Sequence, residues 1–285
     1  MKTIDEMIAV NKKQSAFYDS ISLSEEHENG VGYAKHKSAN WITRFWAALR
    51  YRQQDANILS GVDEAKWRLH RKWLKIKRGG TSLELGCFRG TYFTDELIES
   101  SGRYVGIDLS AKAVEALNFK IQQLNLHTKA KAVSGDFLTF GEDVKFDLIY
   151  AHGVLHHFEN SKPLFEKIAN LLSQDGVLIL SEPSQVNRYF SLIRSLYRPF
   201  QSDNEWEWPF TRKTVNNLEE NLEPIEGFGW GRRSLFLSIF VSLPVIGKIF
   251  MPSYLKNIKT ELSSPWGDDV WLNSTIVAVY KKKHA

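Results

Sequence analysis

The residues of this chain that can do chemistry sit at what read as the ends of β-strands. The run Ser82-Leu83-Glu84-Leu85-Gly86-Cys87-Phe88-Arg89-Gly90 reads as a strand ending in an acid and a glycine turn, the arrangement in which many α/β enzymes grip a nucleotide-like cofactor. Tyr104 to Ser110 reads as a second strand ending in Asp108, about 20 residues past the turn, where a carboxylate can accept hydrogen bonds from both ribose hydroxyls. A third strand ends in Gly135-Asp136-Phe137. A fourth, Phe146 to Ala151, runs into His152-Gly153-Val154-Leu155-His156-His157-Phe158. Imidazole titrates near neutrality, so His156 and His157 are candidate general bases for a hydroxyl nucleophile. Glu182, at the end of a fifth strand, can orient one of them by accepting from a ring nitrogen. Capping or packing of the following helix is the plain alternative for His156.

These groups meet only if the strands lie side by side with their carboxyl ends at one edge. From Thr81 onward, short β-branched and apolar runs alternate with segments of helical length, the signature of a parallel sheet with crossover helices. The pattern predicts strands at about 81–86, 104–109, 130–135, 146–151 and 176–181, and helices at about 91–100, 111–124 and 161–172. Gln174-Asp175-Gly176 reads as a helix stop and a turn into the fifth strand. Thr211 is a candidate N-cap for a helix reaching Leu222, Gly227 to Gly231 lies in or after a sixth strand, and Ser274 to Tyr280 is a final strand.

Residues 1–78 carry helical signals and read as an N-terminal cap, with Glu25 to Lys37 as a loop between Tyr18 and the helically spaced Trp41, Phe45, Leu49, Trp67 and Trp73. The domain over 79–285 then carries two insertions. One, at about 184–210, is aromatic and basic, with Tyr189, Phe190, Tyr197, Phe200, Trp206 and Trp208 among Arg188, Arg194 and Arg198, and suits a lid. The other, at about 232–272, holds the most hydrophobic stretch of the chain, Leu235 to Gly247. Its 13 uncharged residues, interrupted by Pro244, are too few to span a bilayer. The stretch reads first as a buried wall of a substrate pocket. Arg232, Arg233, Lys248, Lys256 and Lys259 around it leave open an interfacial helix resting on an anionic membrane.

The glycine turn, the acid-ended strand, the Gly-Asp-Phe and the histidines after the fourth strand, in this order and spacing, resemble the class I S-adenosylmethionine-dependent methyltransferases. The resemblance implies an α/β fold with a Rossmann-like, seven-stranded, mostly parallel sheet and helices on both faces, and S-adenosylmethionine as cofactor. Carried over residue by residue, it places Glu84 near the amino-acid moiety of the cofactor, Gly86 and Cys87 in the turn beside it, and Gly90 at the opening of the next helix, whose amides face the cofactor. It assigns the ribose to Asp108 and the adenine amino group to Asp136, with Leu109 and Phe137 on either side of the ring. Ala151 and His152 border the cofactor at the end of the fourth strand, His152 through its backbone. Tyr18 belongs to a segment that in many relatives folds over the cofactor. Phe88 departs from the pattern, standing where the middle glycine usually falls. A dinucleotide is the rival ligand, and the acid preceding the glycines, the Gly-Asp-Phe strand end and the segment LSQDGVLILSEP weigh against it.

The same resemblance narrows the acceptor. Methylation of a base or glutamine amine calls for an (Asp/Asn)-Pro-Pro-Tyr-type sequence where this chain has Ala151-His152-Gly153-Val154. A protein-arginine enzyme calls for paired glutamates, and only Glu159 is near. A net charge of +4, with 37 basic residues scattered among 33 acids, implies no nucleic-acid groove. Best supported is O-methylation of a small-molecule, glycan or lipid-linked acceptor with a histidine base. N- or C-methylation of a small molecule or quinone, and a cofactor-binding protein that has lost turnover or been repurposed, are the alternatives. The single cysteine, Cys87, excludes an internal disulfide and reads as packing rather than as a nucleophile, and no metal is expected. The first residues lack the apolar core of a secretory signal. The expected location is cytoplasmic, with peripheral contact at the inner membrane left open.

Overall fold

The computed structural model describes residues 4–22, 56, 58–141, 143–198, 205–243 and 245–283. The alternation that starts at Thr81 becomes one sheet of β1 (Thr81–Leu85), β2 (Arg103–Asp108), β3 (Ala130–Ser134), β4 (Phe146–His152), β5 (Leu172–Pro183), β6 (Leu222–Trp230) and β7 (Thr275–Lys282). Their order is β3-β2-β1-β4-β5-β7-β6. Pairs from β3 to β5 are parallel, and β7 runs antiparallel to both of its neighbours. All strands but β7 therefore end at one edge.

The crossover helices start where short polar side chains replace the missing helical acceptors. Thr91 caps α3 (Tyr92–Ser100) in a reciprocal box with Thr94, Ser110 caps α4 (Ala111–Gln123) by accepting from the Ala113 amide at 3.1 Å, and α5 (Ser161–Leu171) follows β4. Thr211 caps α7 (Arg212–Asn221) as predicted, accepting from the Thr214 amide at 3.2 Å. Between β5 and α7, α6 (Arg188–Tyr197) forms in the predicted lid. Successive strand residues feed opposite faces of the sheet. Leu83, Leu85, Ile149, Leu178 and Leu180 pack under α5 and α7, while Tyr104, Leu148, Tyr150 and Ile179 pack under α3 and α4 with Phe93, Leu97 and Leu117.

Two boundaries differ from the sequence expectation. Gln174-Asp175-Gly176 is not a turn outside the strand. β5 starts at Leu172, directly after α5, and the register jumps from Phe146↔Leu172 to Leu148↔Val177, so these residues form a bulge within it. β6 likewise begins at Leu222, five residues before Gly227, with a register shift between Pro224 and Glu226 that absorbs the proline. The predicted loop at 25–37 and Trp41, Phe45 and Leu49 lie outside the described residues. Of the N-terminal segment, α1 (Ile4–Ser22) packs on α4, and α2 (Val62–Ile76) buries Leu69 and Leu74 on the sheet face that carries Tyr104.

The second insertion folds as a helical pair, α8 (Ser234–Val241) and α9 (Ile246–Leu262). It has a small core of its own, in which Val241, Tyr254 and Ile258 pack with Ala56 and Val62. A buried acid ties it to the sheet. Glu261 accepts from the Gly231 amide at 2.8 Å and the Ser234 hydroxyl at 2.7 Å on one oxygen, and from the Arg233 and Ser234 amides at 2.6 and 3.1 Å on the other. Among the described residues no helix is long and apolar enough to cross a membrane.

Glu84 is a second buried acid of this kind. Its side chain alternates away from Leu83 and Leu85 and is 3 % exposed, with Thr94 Oγ1 donating at 3.0 Å and the Tyr104 hydroxyl at 2.6 Å. Burial raises its carboxyl from 4.5 to about 7, and the two donors oppose that rise. A raised acid favours the folded state only while protonated. Its contribution is whole below pH 4.5 and lost as pH climbs through about 7. Glu84→Gln removes this titration, so urea melts should show its unfolding free energy gaining ~3 kcal/mol on the wild type across that window. Glu261→Ala strips acceptors from Gly231 and Ser234 in the core, and the same melts should show a loss of about 2 kcal/mol.

Candidate active site

At the carboxyl edge, the crossovers from β1 and β4 lead to opposite ends of the sheet, and the strand ends separate there as such topologies require. A cavity of about 240 Å³ opens at this point. It is lined by Gly86 and Phe88 after β1, Asp108 and Leu109 after β2, Gly135, Asp136 and Phe137 after β3, His152, Gly153, Val154, His157 and Phe158 after β4, and Asn11, Gln14 and Tyr18 of α1.

Two backbone positions shape the floor. Gly86, at φ 68°, lies against Val154, whose Cγ2 would be 2.8 Å from a Cβ added there, so only glycine lets the first and fourth loops close up. Phe88 stands where the resemblance expects a glycine, and it keeps the glycine-like conformation at φ 45°. That turn points its amide at Asp108. Asp108 accepts from the Phe88 amide at 2.9 Å on one oxygen and from the Ser110 amide at 2.8 Å on the other. Burial still pushes the Asp108 carboxyl upward against these bonds.

Helix α1 covers the opening through one face. Asn11 donates to Asp136 at 2.7 Å, Ser15 to the Leu109 carbonyl at 3.0 Å, and Asp19 accepts from the Ser110 hydroxyl at 2.6 Å. Tyr18 reaches His157, hydroxyl to Nε2 at 3.2 Å. The residues 11, 15, 18 and 19 share the i, i+4, i+7, i+8 spacing of a helix face. That spacing is the signal by which Asn11 and Gln14, absent from the sequence-derived site, could have been found beside Tyr18.

The two histidines diverge. His157 Nδ1 is 2.8 Å from the Trp206 carbonyl, which can only accept, so the ring proton sits on Nδ1 and Nε2 presents a lone pair towards Tyr18. Burial, with His156 beside it, lowers its pKa to about 3, so the ring is neutral at ordinary pH. His156 turns the other way. Its Nδ1 lies 2.7 Å from Glu182, which is wholly buried, and its Nε2 lies 4.0 Å from Glu207. Glu182 also accepts from the amides of Val154 and Leu155 at 3.0 and 2.8 Å. The Trp208 amide donates to the His156 carbonyl at 2.6 Å, so the segment after β5 rests on this same turn.

Of the residues singled out from sequence, Tyr18, Gly86, Asp108, Leu109, Asp136, Phe137, His152 and His157 meet at the cavity. The others lie behind its wall. Glu84 faces Tyr104, Cys87 turns its sulfur into the core against Gly106, and Ala151 is buried with the strand core. Gly90 turns inward to donate to the Cys87 carbonyl at 2.9 Å, and His156 and Glu182 hold each other. The lid aromatics Trp206 and Phe210 are buried packing residues, Tyr189 is exposed, and Phe200 and the side chain of Tyr197 lie outside the described residues. Among the described residues none of the 232–272 insertion lines this cavity.

The lining fits the implied cofactor. Two carboxylates flank an apolar slot of Leu109, Phe137 and Phe158, and among the described residues no lysine or arginine lines it. Acceptors at both ends suit a ribose diol and an exocyclic amine, and the negative setting suits a cation.

Residues 76–223, just over half of the chain, match the family model described as a methyltransferase domain. The chain is 26% identical over 132 residues to (S)-coclaurine N-methyltransferase of Papaver somniferum, covering 46% of this chain and 37% of that protein. It is 26% identical over 157 residues to the ubiquinone biosynthesis O-methyltransferase of Glaesserella parasuis, covering 53% and 63%. It thus spans less than two thirds of either relative. The N-methyltransferase NodS of Bradyrhizobium japonicum, solved with S-adenosyl-L-homocysteine, superposes with a TM-score of 0.50 at 14% identity over 95% of this chain and 98% of that one, a likeness of fold. The strand order, the cation-suited cavity and the matched domain have one reading: the chain belongs to the methyltransferase domain family, among the class I S-adenosylmethionine-dependent methyltransferases.

Proposed function

We propose that the chain methylates a hydroxyl oxygen of a small-molecule acceptor, with His157 as general base. The observation that carries this reading is geometric: the Nε2 lone pair of His157 stands at the cavity wall, its tautomer held by the Trp206 carbonyl. When bound, S-adenosylmethionine supplies a methyl group made electrophilic by the positive sulfur. Asp108 holds the ribose, Asp136 the adenine amino group in place of Asn11, and Leu109 and Phe137 the ring faces. Gly86 keeps the floor open to the backbone, and His152 borders the far end.

The acceptor hydroxyl takes the place of the Tyr18 hydroxyl on Nε2, which receives its proton as the oxygen is methylated. His156 and Glu182 act as positioning residues: the carboxylate gathers the amides of the turn and the His156 ring, which sets where His157 stands. The relatives are named for transfer to nitrogen and to oxygen, so the choice of oxygen rests on His157. An amine acceptor that arrives unprotonated needs no such base.

His157→Gln should lower kcat ~10²- to 10⁴-fold in an S-adenosylhomocysteine release assay while cofactor affinity by calorimetry is unchanged. Full activity in that variant would end the base assignment and favour an amine acceptor. Asp108→Asn replaces one acceptor oxygen by a donor facing an amide, and calorimetry should show the cofactor Kd rising by about tenfold or more.

A further inference from the structure

We infer that the α8–α9 pair is a docking surface for an anionic lipid bilayer. The pair has two apolar faces where a soluble hairpin needs one. Val241 and Tyr254 fill its inner core. Outward, Phe236 and Phe240 stand one turn apart on α8, 47% and 43% exposed, and Ile246 and Ile249 continue the surface on α9, with Ile249 72% exposed. The Phe240 and Phe250 rings stack at 5.0 Å and join the two helices into one ridge. At the tip between the helices Val245 holds φ 66°, a conformation costly for a β-branched side chain, and is 78% exposed. Glycine or asparagine would form this turn with less strain and less apolar surface.

Charge identifies the occupant. Residues 231–260 contain Arg232, Arg233, Lys248, Lys256 and Lys259 and no aspartate or glutamate, a surplus of +5 in a chain whose net charge is +4. Arg232 pairs with Asp269 at 2.9 Å, whereas Lys248, Lys256 and Lys259 are exposed on α9 and have no ion-pair partner among the described residues. A second copy of the same surface would bring like charges together, which disfavours self-association. An apolar ridge with a basic surround is what an interfacial helix presents to acidic headgroups. β6 runs parallel to β5, so α8 emerges from the sheet edge that also carries the cavity, and docking there turns that edge towards the bilayer.

Sedimentation of the full chain with vesicles of phosphatidylcholine alone and of phosphatidylcholine with phosphatidylglycerol tests this. Binding to the anionic vesicles is expected, weakening as salt is raised. The triple variant Lys248→Gln, Lys256→Gln, Lys259→Gln should lower partitioning on the order of a hundredfold, at about fivefold per lysine, and V245S with I249S about tenfold for each side chain. These side chains are exposed, so circular dichroism and thermal melts should match the wild type. Absence of binding, equal binding to neutral vesicles, or variants that sediment like the wild type would overturn the assignment. So would a concentration-dependent dimer in place of vesicle binding.

Discussion

A wholly buried carboxylate governs the geometry of the catalytic edge. Glu182 ends β5 in the core, where an ionised group without partners would be costly, and it is answered by the amides of Val154 and Leu155 and the ring of His156. Those bonds bend the chain after β4 into a tight turn rather than letting it run straight into α5. Val154 is thereby laid on Gly86, which closes the floor of the cavity, and His157 is turned to the opposite side from His156. The insertion at about 184–210 then rests on the turn through the Trp208 amide and the Trp206 carbonyl, and the latter selects the tautomer of His157. One acid thus couples the sheet, the histidine turn and the insertion that follows β5.

A similar economy holds on the cofactor side. Asp108 is drawn into place by the Phe88 and Ser110 amides, so the glycine turn and the second strand end form one unit. Helix α1 binds the same groups from outside, through Asn11 on Asp136, Ser15 on the Leu109 carbonyl and Asp19 on Ser110. Its polar contacts sit over the apolar slot of Leu109, Phe137 and Phe158. Tyr18 carries this cover across to His157, joining the lining after β2 and β3 to the histidine turn after β4.

The sheet was legible in the sequence because parallel strands buried on both faces leave continuous β-branched and apolar runs, and the caps Ser110 and Thr211 mark their helices directly. The starts of β5 and β6 were not. At both, strand follows helix without a gap, and bulges absorb Gly176 and Pro224, residues that by themselves signal turns. The acids at strand ends were equally plain, although Glu84 proves to be a core residue, since alternation along β1 faces it to Tyr104 and away from the cavity.

From the sequence alone came the order of the strand ends, the family resemblance, the cofactor it implies and the residues Asp108, Asp136 and Tyr18, all of which depend on type and spacing along the chain. Tertiary structure alone decided which of two adjacent histidines faces the cavity, that Phe88 takes a positive φ where a glycine was expected, and that the apolar insertion exposes Phe236, Val245 and Ile249. Neighbours in sequence share composition and spacing, and what separates them is the direction of a side chain. That direction is set by contacts from distant segments, here Glu182, Trp206 and Glu261.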